Sequence, residues 1–216
     1  MNEARAAVAA ASRRLAEAGL LVGTAGNVSA RVGDLVAITA TGVRLGACSP
    51  DDVTVVDLDG AVIEGTLAPT SELSLHLGVY ADGPTEQQGA VVHTHAPFAT
   101  ALACVLDALP VLHYQQLALG GEVRVAPYAT FGTPELAAAV RTALAGRSAA
   151  LLANHGSVTL GGSLDQAVEN ALLLEWLCQL HHRASALGTP RVLTEEQQLD
   201  VIEAALSRGY GSTQEI

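Results

Sequence analysis

The chain has 216 residues, half of them hydrophobic and 15% charged, with a formal net charge of −11. That length suits one compact domain over residues 1–216, with a core drawn from Ala, Val and Leu because the chain has just two Phe and one Trp. The 11 basic residues are scattered arginines with no lysine among them, which argues against a nucleic-acid partner and excludes catalysis through a lysine Schiff base.

In chain order, Asn2 can cap a first helix whose apolar residues recur at helical spacing to about Gly19, a stop signal. Residues 27–32, 35–39 and 53–58 read as short strands, and Asp59-Gly60 as a turn before an extended stretch at 61–63. Pro69 precedes a helix reaching about Tyr80. Residues 89–95 form a Val-rich strand, 97–107 a helix, and 122–126 another strand. Thr133-Pro134 opens a helix with a cap and a first-turn proline. Residues 150–154 and 157–160 flank Asn154-His155-Gly156. Ser163 with Gln166 forms a capping box before a long amphipathic helix ending near Gly188, and Thr194 with Gln197 repeats it before a last helix stopping at Gly209.

Strands alternate irregularly with helices, and tight turns join several of them. The pattern predicts a single α/β domain whose central sheet is mixed or antiparallel and flanked by helices. No stretch approaches the length of a membrane span, and charges interrupt the Ala-rich start before a signal core forms, so a cytoplasmic protein without a membrane partner is expected. Cys48, Cys104 and Cys178 are odd in number and lack a CxxC pairing, which fits small buried hydrophobes in a reducing compartment.

His93-Thr94-His95 is the most informative segment. Side chains two apart on a strand share a face at roughly 6–7 Å, so both imidazoles can close on one metal ion; a chance pair is the alternative. An apolar strand delivers His155 to a turn where Gly156 permits a sharp reversal, and with His93 and His95 it makes a His₃ set. Glu72 sits near a helix start, where the dipole alone favours glutamate. His76, one turn on, lies between Leu75 and Leu77 and reads as packed or capping, while His181 and His182 suit a helix C-terminus. The loops Gly23-Thr24-Ala25-Gly26-Asn27, Thr41-Gly42 and Thr70-Ser71 could hold an anion through backbone N–H groups, hydroxyls and an amide, although each is also an ordinary turn.

Taken in order, Gly23-Thr24-Ala25-Gly26-Asn27-Val28-Ser29, Thr39-Ala40-Thr41-Gly42, Pro69-Thr70-Ser71-Glu72, His93-Thr94-His95 and Asn154-His155-Gly156 resemble the class II aldolase/adducin family. His113-Tyr114, Gly120-Gly121 and residues 126–133 are similar to its fuculose-phosphate aldolases. The resemblance implies an α/β/α sandwich with a central, mainly antiparallel sheet, assembled as a ring homotetramer with active sites between subunits. It implies a site for Zn2+, or another divalent transition metal, made by His93, His95 and His155, with Glu72 as a fourth ligand that swings off to act as base.

It further implies a phosphorylated sugar held at its phosphate by Asn27, Thr41, Gly42, Thr70 and Ser71. Tyr114 matches a tyrosine reached from the neighbouring subunit that protonates the aldehyde, and Tyr210 one of the tail that binds the aldehyde end. The expected reaction is retro-aldol cleavage of a ketose 1-phosphate resembling L-fuculose 1-phosphate. The alternatives within the family are a sugar-phosphate 4-epimerase, decarboxylase or dehydratase, or a non-catalytic adducin-type module. The epimerases typically carry Asp where this chain has Glu72. The tail after Tyr210 lacks the basic residue that the family leads one to expect, which bears on the aldehyde partner.

Overall fold

The computed structural model describes residues 1–83 and 88–208. Its strands are β1 (Asn27–Val32), β2 (Leu35–Thr39), β3 (Val53–Asp57), β4 (Val62–Glu64), β5 (Ala90–Thr94), β6 (Ala108–Leu109), β7 (Val123–Ala126), β8 (Ala149–Leu152) and β9 (Gly156–Gly161). The helices are α1 (Asn2–Glu17), α2 (Leu73–Asp82), α3 (Pro97–Ala103), α4 (Pro134–Leu144), α5 (Leu164–Leu187) and α6 (Glu195–Arg208). One nine-stranded sheet runs in the order β4-β3-β2-β1-β5-β9-β8-β7-β6. β7 and β8 pair in parallel, and the other neighbours pair antiparallel. The short connections between β1 and β2 and between β8 and β9 leave no room for a crossover, so those pairs must be antiparallel.

Period-two alternation splits the core into two layers. Val28 and Ala30 of β1 and Val92 of β5 face one side, where Val8 and Leu15 of α1, Ala99 of α3 and Leu174 of α5 cover them. Val36 and Ile38 of β2, Val91 of β5 and Val158 of β9 face the other, beneath Leu75 and Val79 of α2 and Leu136 and Val140 of α4. Each such Val or Leu contributes about 1.5–3 kcal/mol when fully buried. The outcome is the α/β/α arrangement around a mainly antiparallel sheet that the sequence predicted. Among the described residues, no helix is long and apolar enough to cross a membrane.

Some local expectations differ. Met1, not Asn2, occupies the cap position of α1 and makes no side-chain cap bond. α2 begins at Leu73 because Thr70 N bonds Thr39 O and Pro69 bridges Ala40, which keeps Pro69 and Thr70 extended against the sheet before a turn at Ser71 and Glu72. α3 stops at Ala103, short of residue 107, since Ala108 and Leu109 are drawn into pairing with β7. Ser163 caps α5 as expected, but Gln166 reaches back to Gly162 N rather than to Ser163. Thr194 and Gln197 make both bonds of their box. Cys48 and Cys178 are buried, whereas Cys104, at the frayed end of α3, is exposed.

Candidate metal centre and substrate cavity

The register around β5 builds the centre. Asn27 of β1 pairs opposite His93, which on its other side pairs with Val158 of β9, so His93 sits inside the sheet and fully buried. β5 ends at Thr94, and His95 follows just beyond the last ladder residue, half-buried. The β8–β9 turn returns to the same end of the sheet. Within it Asn154 adopts φ 54°, a left-handed conformation uncommon outside glycine, and His155 follows. At Gly156 a Cβ would lie 2.3 Å from Thr94 O, so glycine alone lets the two strand ends close together.

The three imidazole centroids are each 4.9 Å from the others, edge to face, and their ligating nitrogens lie within 4.8 Å of one another. His93 Nδ1 donates to the Ser157 carbonyl at 2.9 Å, which points Nε2 at the cluster. That Nε2 is 3.0 Å from His95 Nε2 and 3.2 Å from Glu72 Oε2. Glu72 Oε1 lies 3.5 Å from His155 Nε2, makes no hydrogen bond and is shut off from solvent. An orphaned buried oxygen costs about 1–3 kcal/mol, and more when charged. Three imidazole nitrogens fit a zinc-like divalent ion and would leave it a fourth position, which the Glu72 carboxylate could fill or give up to a substrate.

Electrostatics agree with that fit. Burial, then the charges of His93 and His155, push His95 down to about 4, and burial with His93 also lowers His155. Neutral imidazoles are the ligating form. Burial alone would raise Glu72, but bonding and charge from His93, the Asn27 bond and His155 outweigh it and hold the carboxyl well below the usual range.

Above the cluster lies a cavity of ≈ 300 Å³. Thr24, Asn27, Thr41, Gly42, Thr70 and Ser71 line it together with Glu72, His95 and His155. All the predicted phosphate residues thus meet in one place. Thr41 N bonds Ala68 O while Thr70 N bonds Thr39 O, so the loops carrying those hydroxyls are zipped to each other. At Gly26 a Cβ would come within 2.8 Å of His93 O, so this loop can approach the centre only as glycine. A larger hollow of ≈ 560 Å³, lined by Asp82, Arg141 and Arg147 among others, contains none of the predicted site residues.

Tyr114 opens a 3-10 turn (Tyr114–Leu119), is exposed, and is absent from the residues lining the cavity; His113 packs on its ring at 4.6 Å. Tyr210 lies outside the described residues. His182 packs near Phe98 at 5.5 Å, as a structural side chain does. Three residues around the site carried no catalytic or binding role in the sequence reading. Tyr128 and Phe131 line the cavity while about two-thirds exposed, and an aromatic pair in a Pro- and Gly-bounded loop was their available signal. His76 does more than pack: it bonds both Asn27 and Ser29, and its spacing from Glu72 was the clue.

The Class II Aldolase and Adducin N-terminal domain family matches residues 6–182. The 5-methylthioribulose-1-phosphate/5-deoxyribulose-1-phosphate aldolase of Rhodospirillum rubrum is 39% identical over 89% of this chain and 86% of its own. The 5-deoxy-D-ribulose 1-phosphate aldolase of Bacillus thuringiensis is 36% identical over 98% of both chains. A solved L-fuculose 1-phosphate aldolase superposes with a TM-score of 0.90 at 34% identity, covering 94% of this chain and 96% of the other.

Proposed function

The chain belongs to the class II aldolase and adducin family, and from that premise we propose that it is a metal-dependent lyase cleaving a ketose 1-phosphate reversibly into dihydroxyacetone phosphate and an aldehyde. The observation that carries this reading is the meeting of His93, His95, His155 and Glu72 beneath a cavity walled by neutral anion donors. A single domain of this kind, working in the cytoplasm as a homotetramer, is part of the proposal.

His93, His95 and His155, with Glu72, would hold the ion, zinc by the chemistry of the donor set. When bound, it supplies Lewis-acid polarisation of the substrate carbonyl and a counter-charge when the carbon–carbon bond breaks. Asn27, Thr41, Gly42, Thr70 and Ser71 bind the phosphate without lysine, beside the positive end of α2. In the condensation direction Glu72 takes a proton from the hydroxymethyl carbon of dihydroxyacetone phosphate. The electron pair left there forms the bond to the aldehyde carbon, and Tyr114 of a neighbouring subunit gives its proton to the aldehyde oxygen. Cleavage is the reverse. Tyr210 serves the aldehyde end. An adducin-type binding module has no use for a buried, unpartnered carboxylate oxygen, and Glu72 stands where the family's epimerases typically carry Asp.

Two relatives named for 5-deoxyribulose 1-phosphate favour a deoxypentulose as a second substrate beside L-fuculose 1-phosphate. Both sugars end in a methyl group, which the exposed rings of Tyr128 and Phe131 can cover. The test is release of dihydroxyacetone phosphate from each sugar, with acetaldehyde and lactaldehyde as respective co-products. Turnover of at least one is expected; epimerisation without release from either would reject the aldolase assignment.

A further inference from the structure

Behind the metal centre a buried row of side chains leads away from Glu72. Asn27 Nδ2 donates to Glu72 Oε2 at 2.9 Å. Asn27 Oδ1 meets His76 Nε2, His76 Nδ1 lies 2.7 Å from Ser29 Oγ, and Ser29 Oγ lies 2.6 Å from Tyr80 Oη. All of these residues are at most 6% exposed.

The row follows from two matching repeats. Asn27 and Ser29 lie two apart on β1, hence about 6.4–6.8 Å apart on one face. Glu72 at the cap of α2 and His76 and Tyr80 within it recur every four residues, about 6 Å apart on one stripe. Strand and helix therefore interdigitate residue by residue.

The donor directions follow from one end. The Asn27 amide nitrogen faces Glu72 Oε2, so Oδ1 faces His76. Oδ1 only accepts, so His76 Nε2 carries the proton. Burial first, and then His93, push His76 down to about 3, so the ring is neutral and Nδ1 accepts from Ser29. Ser29 in turn accepts from Tyr80, whose oxygen also bonds the Val91 backbone. The row ends there, inside the core, with no solvent at its far end. It cannot deliver protons; it can hold an amide.

We propose that His76 is a positioning residue for the substrate anion site: it locks the Asn27 amide so that one N–H serves Glu72 and the other faces the cavity. The inference rests on the aldolase reading above. A reversed amide would set its oxygen against both the Glu72 carboxylate and an incoming phosphate.

His76→Gln keeps a donor near the Nε2 position, whereas His76→Asn keeps an acceptor near Nδ1 and abandons Asn27. Calorimetric binding of inorganic phosphate is the primary readout, with metal content and KM for the ketose 1-phosphate beside it. His76→Asn should weaken phosphate binding and raise KM about tenfold while metal content stays unchanged, and His76→Gln should stay within about threefold of wild type. Asn27→Ala should weaken phosphate binding, and adding His76→Asn to it should cost nothing more. Equal losses in the Gln and Asn variants, or additive losses in the double variant, would overturn the positioning role alone. Wild-type protein that ignores phosphate, or an Asn27→Ala variant that binds it normally, would instead remove the anion site, and the aldolase reading with it.

Discussion

In the floor of the site, beneath the cavity, Asn27, Glu72 and His93 are 3%, 6% and 0% exposed, and strand register or a hydrogen bond fixes each of them. The aromatic candidates for the other half of the site, Tyr114, Tyr128 and Phe131, are 40%, 66% and 65% exposed and come from loops or a 3-10 turn. The floor is complete within one chain because sheet geometry sets it before any ligand arrives. In the proposed assembly the rim is defined by whatever meets it, substrate or a second subunit. Changes on the floor should therefore act on chemistry, and changes on the rim on selectivity and assembly.

The largest effect expected from that contrast is at Glu72. Glu72→Gln keeps the size and the Asn27 contact but loses the base, so turnover should fall by ~10²–10⁴-fold with metal content largely retained. Single-turnover kinetics and elemental analysis check both halves.

Next in size is the proposed division of labour between subunits. Unfolding, mixing and reassembling Glu72→Gln and Tyr114→Phe proteins should raise activity well above the sum of the parents, since some interfaces then pair an intact Glu72 with an intact Tyr114. Mixed assemblies without a gain would return Tyr114 to its own chain or remove it from the chemistry.

A smaller shift is expected at the loop rim. Phe131→Ala should change the preference between acetaldehyde and lactaldehyde by about 3–30-fold and leave kcat with the better aldehyde nearly unchanged. An equal loss with both would place Phe131 in the machinery of the floor.

A separate effect concerns acid stability, and it belongs to the floor alone. His76 is neutral and buried, at about 3 when folded against about 6.5 in an unfolded chain. Below the unfolded value the unfolded chain binds a proton that the folded one refuses. The contribution is therefore complete above that value and is lost as pH falls toward 3, at up to about 1.4 kcal/mol per pH unit. Urea denaturation from pH 7 to 4 should show a shallower decline for His76→Gln than for wild type.

The legible parts of this molecule were those where local pattern and tertiary need coincide. β1, β2 and the cap of α4 match the alternation and capping signals within a residue or so, and the histidine cluster forms as the His-x-His spacing and the Asn154-His155-Gly156 turn implied. Misreadings cluster where distant pairing decides. α3 stops early because β7 recruits Ala108 and Leu109, and Pro69 and Thr70 stay extended because Thr39 and Ala40 hold them. His76 was read as packed or capping for the same reason: its partners Asn27 and Ser29 lie 49 and 47 residues away. Tyr114 was singled out by resemblance, and the geometry of a single chain does not bring it to the cavity.

The most direct test of the central claim follows the metal. Purified protein should carry about one divalent transition ion per chain, most readily zinc, held by His93, His95 and His155. Prolonged chelation should remove both the ion and dihydroxyacetone phosphate release, and added zinc should restore both. Full activity in a preparation shown by elemental analysis to be metal-free would contradict the account.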